Sequence, residues 1–254
     1  MRALDDTSAE GTLEHLDSQR EIWESKPVIR ALYGHYHALM ADHAAEGFFV
    51  EIGTGCGNLK ETRDDVVSVD IVRSGWVDLV ANAEQLPFAN AAVDNLVMLD
   101  VLHHVQRPLL FLQECQRTLR PGGRLVMLEP GITPLSKIFY DRFHPEPVIM
   151  DADVTGDERQ SGDDPFDSNQ AIPTLLFGGA RQQWQETTPH LSLRHREWLG
   201  PFSYPMSGGF RPWRALTPSL LRPLLWSEEK LLPEWLKRLI AFRLLIVIER
   251  LGEP

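Results

Sequence analysis

Apolar residues along this chain fall into two alternating rhythms. Between residues 12 and 45, Leu13, Leu16, Ile22, Trp23, Leu32, Tyr36 and Leu39 recur at near-helical spacing, and Pro27 divides the stretch into two predicted helices. Short apolar runs then predict buried strands at 48–52, 66–71 and 92–99, with a briefer one at 77–80. Residues 108–119 return to helical spacing, with Leu109, Leu112, Cys115 and Leu119 on one face, and stop at Arg120-Pro121-Gly122-Gly123. A further strand is predicted at 124–129, a helix at 169–186, a strand at 190–198, one or two helices over 216–240 and a last strand at 242–249. Apolar strands separated by helices imply a parallel sheet covered on both faces. Such sheets bind ligands beyond the carboxyl ends of their strands, which directs attention to the loops after Ile52, Val69 and Leu99.

The first of those loops is Glu51-Ile52-Gly53-Thr54-Gly55-Cys56-Gly57. Glycines let backbone turn tightly and let a ligand approach the peptide groups. A dinucleotide loop would carry its third glycine three places after the second; here that place is Asn58, so the spacing suits a nucleoside without a pyrophosphate. The next strand ends in Asp70, an acid placed to accept from both ribose hydroxyls, although a strand-end Asp can also serve as a cap.

These residues, with 82–88, 92–94, 99–105 and 119–123, occur in the order found in class I S-adenosylmethionine-dependent methyltransferases. Residues 48–130 resemble most the methyltransferase type 11 branch, which includes the ubiquinone and menaquinone C-methyltransferases. The resemblance implies an α/β, Rossmann-like fold: a mostly parallel seven-stranded sheet, helices on both faces, and an inserted cap after the fifth strand. It implies S-adenosylmethionine as cofactor. Glu51, Gly53, Thr54 and Gly55 would border its methionine part, Asp70 would hold the ribose and Ile71 would pack on the adenine. Asn82, Ala83 and Glu84 would lie at the adenine edge, with Leu99 offering its carbonyl to the methionine amino group. The family often has Asp where this chain has Asn82, whose amide oxygen can still accept. The short span from Gly57 to Val66 leaves room for a first helix of only about two turns.

This reading divides the chain into an N-terminal helical cover (1–47), a cofactor-binding half (48–130), an insertion or substrate cap (131–189) and a C-terminal half completing the sheet (190–254). Charge refines it. Residues 1–180 hold 14 Lys+Arg against 29 Asp+Glu, whereas residues 181–254 hold 11 against 7 and five of the seven tryptophans. The net charge of -11 argues against nonspecific nucleic-acid binding. The basic, Trp-rich end is compatible with peripheral membrane contact or with an ordinary packed subdomain. No apolar stretch reaches the ~20 residues of a membrane span, and the first 25 residues do not resemble a secretory leader. Two cysteines, Cys56 and Cys115, fit a reduced cytoplasmic protein.

Methyl transfer from a sulfonium is an in-line displacement, and a hydroxyl acceptor must also lose its proton. His103 and His104 follow the fourth strand, and His104 is the candidate catalytic base. Paired histidines are common here in the resembling family whatever the substrate. Glu129, Tyr140, His144 and Glu146 are candidates for shaping the pocket. No metal site is expected: His35 and His37 do not share a helix face, and the calcium-like start at Asp151 fails at its twelfth position, Gly162. The acidic stretch 151–168 reads as a loop or lid, and residues 164–177 read either as a segment closing over a hydroxyl-bearing substrate, with Asn169 and Gln170 as contacts, or as a helix entry capped by Ser168. The expected function is methylation of a small molecule at a hydroxyl, with a sugar or lipid-linked saccharide as candidate acceptor. Two alternatives stand beside it: a cofactor-binding module without turnover, and a nicotinamide-dependent reductase. Oligomeric state is not encoded in any of these features.

Overall fold

The computed structural model describes residues 6–156 and 168–252. The acidic segment 157–167, with the central part of the expected lid and Gly162, lies outside the described residues. Two helices, α1 (Asp6–Ser25) and α2 (Pro27–His43), precede the sheet, divided at Lys26-Pro27 as the proline predicts. The strands are β1 (Phe49–Ile52), β2 (Val66–Asp70), β3 (Leu79–Val80), β4 (Val93–Leu99), β5 (Leu119–Pro130), β6 (Leu191–Leu199) and β7 (Arg243–Arg250). They form one sheet in the order β3-β2-β1-β4-β5-β7-β6. Every pairing is parallel except those of β7, which runs antiparallel to β5 and β6. This is the α/β, Rossmann-like fold expected, with seven strands.

Helices cover both faces. α3 (Pro108–Thr118), α5 (Ile172–Leu176) and α6 (Arg181–Thr187) lie on one side; α1, α2 and α8 (Pro218–Lys230) lie on the other. β7 shows why its apolar run is unbroken: Leu244, Ile246 and Ile248 enter the first core layer, and Leu245 and Val247 enter the second. α4 (Pro134–Phe143), α7 (Ser203–Ser207) and α9 (Glu234–Ile240) complete the chain, with Tyr140 and Phe242 in a smaller third cluster.

Three local expectations are corrected. The segment between Gly57 and Val66 holds a single 3-10 turn, Leu59–Glu61, rather than a two-turn helix. The helix expected over 169–186 is two, α5 and α6, parted at Gly178-Gly179; a Cβ on Gly178 would come within 2.6 Å of the Thr174 carbonyl oxygen. Ser168 caps neither, since α5 begins after Ala171 and has no side-chain cap.

Neighbouring β1 and β4 feed connections to opposite sides of the sheet. A crevice must open at their carboxyl ends.

Candidate active site

That crevice is a cleft of about 2010 Å3, bordered by the tips of β1, β2 and β4. Glu51, Gly53, Thr54, Gly55, Asp70, Ile71, Asn82, Ala83, Glu84 and Leu99 all line it, so the residues expected at the cofactor meet in one cavity.

The glycine loop is wrapped onto the end of β2. Gly53 donates its N–H to the Val69 carbonyl at 2.8 Å, and Thr54 turns its hydroxyl to the same oxygen at 3.4 Å. Asp70 accepts from the Gly55 N–H at 3.0 Å through one oxygen and from the Val72 N–H at 2.9 Å through the other. Gly53 and Gly55 have φ of 74° and 53°, the left-handed region that favours glycine. A Cβ on Gly53 would meet Val101 at 2.3 Å, while one on Gly55 would meet nothing within 4 Å. Burial raises the Asp70 carboxyl pKa against the pull of these N–H donors. Glu51 is buried deeper and accepts from the Ser68 hydroxyl at 3.2 Å. Burial, with the Asp70 charge adding, pushes Glu51 up to about 8.

At the other rim, Ile71 presents an exposed side chain to the cleft. Asn82 lines the same rim, and its amide oxygen accepts from the Glu84 N–H at 2.9 Å. The Glu84 carboxylate is committed as well. It accepts from the Arg107 N–H at 2.7 Å and from the Arg107 guanidinium at 2.7 and 2.9 Å. Glu84 therefore ties this rim to the start of α3.

Beyond the β4 tip, a 3-10 turn at Leu102–His104 carries both histidines. Glu129, at the end of β5 and fully buried, organises it. One Glu129 oxygen accepts from the Val101 and Leu102 N–H groups, each at 2.9 Å; the other accepts from His103 Nδ1 at 2.9 Å. His103 Nε2 faces Glu146 Oε2 at 3.4 Å, and Gln170 Nε2 donates to the same carboxylate. Burial alone would depress the His103 pKa, but its two carboxylate partners outweigh that and carry it up to about 10. Glu146 is driven well below the usual carboxylate range, because His103 overcomes the cost of its burial. His104 packs beside His103 with ring centroids 4.2 Å apart. Both histidines, Glu146 and Gln170 line the cleft. Asn169 does not: it is fully buried and pins the backbone of Ile149 and Ala171, which corrects its expected role as an acceptor contact.

The far half of the cleft is aromatic, with Phe139, Tyr140, Phe143, Tyr204, Phe210 and Trp213 joined by His144 and Arg211. Asp100 forms part of its floor. Its φ of 60° is unusual for a residue with a side chain. The strain is held by Tyr33, whose hydroxyl donates to Asp100 at 3.1 Å, and by an ion pair with the fully buried Arg243. Arg243 also donates to the Leu128 carbonyl at 3.1 Å and stacks over the Tyr204 ring at 4.8 Å. The signal of this pair in the sequence is an Arg set directly before the apolar run 244–248, a charge that a covered sheet tolerates only when paired.

Parts of the chain resemble known proteins. Residues 33–127 match the family described as "Methyltransferase domain". The ubiquinone/menaquinone biosynthesis C-methyltransferase UbiE of Paracoccus denitrificans is 28% identical over 136 residues, which is 50% of this chain and 54% of that protein. The protein of the same name from Klebsiella pneumoniae is 41% identical over 85 residues, 32% of this chain and 33% of that protein. The chain thus spans between a third and about half of these curated relatives' lengths. Among solved structures, a chain from the complex between the Haloferax volcanii Trm112 methyltransferase activator and a methyltransferase superposes with a TM-score of 0.53 at 13% identity, covering 98% of this chain and 100% of that one. A SAM-dependent methyltransferase from Archaeoglobus fulgidus gives 0.52 at 14% identity, covering 87% and 94%. At such identities the superpositions establish the fold.

Proposed function

We propose, from the premise that the chain belongs to the class I S-adenosylmethionine-dependent methyltransferases, that it transfers a methyl group to a hydroxyl of a small molecule. When bound, S-adenosylmethionine supplies the methyl group on a sulfonium. The observation that carries the reading is the convergence of three strand tips on one cleft, with Asp70 bracing the Gly55 loop. The residues fit the cofactor. Gly53, Thr54 and Gly55 would let its methionine part lie against backbone, and Glu51 would face its cationic end. Asp70 would accept from the ribose, Ile71 and Ala83 would flank the adenine, and the Leu99 carbonyl would receive the amino group. Asn82 and Glu84 act through the rim they build.

The aromatic half takes the acceptor. Holding it in line with the methyl carbon and away from water is the principal catalytic effect, worth ~7–11 kcal/mol in well-aligned systems. His104 is the side chain assigned to activating the acceptor hydroxyl. Aromatic faces beside His144 and Arg211 suit a saccharide, free or lipid-linked. Oxygen-directed transfer is our own assignment and departs from the carbon-directed transfer named for the UbiE proteins. The excess of acids opposes a nucleic-acid acceptor. Among the described residues no helix is long and apolar enough to cross a membrane. The two cysteines, both buried and unpaired, favour placing the activity in the cytosol.

Titration calorimetry with S-adenosylmethionine and with NADH tests the premise. S-adenosylmethionine should bind and NADH should not; the reverse would overturn it. Asp70→Ala should weaken S-adenosylmethionine binding roughly tenfold to a hundredfold, the range for a hydrogen bond to a charged group. Against an accepted substrate, His104→Ala should slow turnover by more than about tenfold, and a smaller loss would remove it from the chemistry.

A further inference from the structure

We infer that His103, His104 and Glu146 form a binding site for one divalent transition-metal cation at the acceptor end of the cleft. One ligand atom from each of the three lies within 4.8 Å of the others. Two imidazoles and a carboxylate are the donor set of Zn2+ sites and of the two-histidine, one-carboxylate sites of other first-row metals. Such a set on one side of an open cavity leaves coordination positions for a substrate.

The surroundings are those of a ligand set rather than of three chance neighbours. A metal-bound histidine gives its second ring N–H to a carboxylate, which fixes the tautomer and turns the free nitrogen to the ion. Here His103 Nδ1 meets the fully buried Glu129 at 2.9 Å, and its Nε2 points to Glu146. Glu129 also holds the turn that carries both histidines, through the Val101 and Leu102 N–H groups at 2.9 Å. Gln170 orients Glu146 from behind. Gln170 lines the same cleft, and its side-chain oxygen is buried without a hydrogen-bond partner. Charge points the same way. A buried carboxylate, Glu129, and a half-buried one, Glu146, flank His103, and a dication bound there would replace the proton of that imidazole as their counter-charge.

The inference rests on the hydroxyl-acceptor reading and specifies it: the acceptor offers an oxygen that binds the cation, as a hydroxyl or vicinal diol does. A cation-bound hydroxyl ionises at lower pH and releases its proton to solvent. The oxygen then forms a bond to the methyl carbon, the carbon–sulfur bond breaks, and its electron pair stays on sulfur. His104 then activates the acceptor as a ligand.

The test uses the full-length protein, stripped with a chelator, and Co2+ or Zn2+ without cofactor or acceptor. We expect calorimetric binding at one ion per chain, d–d absorption of the Co2+ form in the visible, and a rise in Tm. His103→Ala, His104→Ala and Glu146→Gln should each weaken the ion at least tenfold, and Glu146→Gln retains the volume and the Gln170 contact should the alanine variants unfold. Absence of a stoichiometric ion in the wild type, or equal affinity in folded Glu146→Gln and His104→Ala, overturns the proposal. S-adenosylmethionine titrations on the same samples report the methyltransferase reading separately, so failure of one leaves the other measured.

Discussion

Glu51 shows how a single side chain links this site to pH. Its pKa is carried to about 8 by burial, whereas in the unfolded chain it falls in the ordinary carboxylate range. A carboxyl raised in this way favours the folded state at low pH, and that advantage is lost as pH climbs from the ordinary range through about 8. The ligand-free protein should therefore lose stability over that window relative to Glu51→Gln, and parallel Tm–pH curves for the two would contradict the assignment. Binding carries the opposite sign. A cationic methionine end facing Glu51 favours the ionised carboxylate, so S-adenosylmethionine should bind more tightly as pH rises toward 8, with release of a proton. Calorimetry in two buffers of different ionisation enthalpy reads that proton directly, and Glu51→Gln should abolish it. The sequence placed Glu51 at the strand end but could not report its state, because burial is a property of what packs around it. The same holds for Glu84: its chain position is readable, while the Arg107 pair that occupies it depends on a contact 23 residues along the chain.

Elements were easiest to read where packing and local pattern agree. β7 is apolar on both faces because helices cover both faces, and β1, β2 and β4 announced themselves in the same way. The pattern misled where length decided. The residues after Gly57 must climb from the loop to β2, and Gly57 itself lies against Trp76, where a Cβ would come within 2.5 Å of the ring; one 3-10 turn is all that fits. The glycine loop supplies a test at this level. Gly53→Ala adds a Cβ 2.3 Å from Val101 at a φ of 74°, and left-handed strain of about 1–3 kcal/mol accompanies the clash. The variant should melt several degrees lower and bind S-adenosylmethionine weakly. Adding Val101→Ala should recover part of the melting temperature by opening space, but little of the affinity, because the backbone strain persists. Full recovery of both would mean the left-handed turn is not what the cofactor requires.

The molecule as a whole is tied together by groups far apart in the chain, and these were the least readable. Arg243 and Asp100 are 143 residues apart, and neither means much until β7 is inserted beside β5. Removing the cation leaves a half-buried carboxylate unmatched, so Arg243→Met should cost about 3–5 kcal/mol in denaturant unfolding; a loss under 1 kcal/mol would show that the pair is dispensable. The N-terminal helix makes a second long-range tie, and this one bears on cofactor exchange. His15, Leu16 and Gln19 of α1 line the cleft. Just beyond them the helix is fastened to the glycine loop's own side: Trp23 Nε1 donates to Glu61 at 2.9 Å, and Arg20 donates to the Cys56 carbonyl at 3.2 Å while pairing with Glu61. A helix that lines the cavity and is fastened to that loop should restrict escape of whatever the loop holds. Arg20 is partly exposed, so its removal should leave the fold nearly as stable, within about 1 kcal/mol, as for other surface ion pairs. Its effect belongs to kinetics: in Arg20→Ala, stopped-flow release of S-adenosylmethionine should be several-fold faster, with turnover at saturating cofactor close to wild type. Unchanged release would mean that α1 covers the cleft without controlling it.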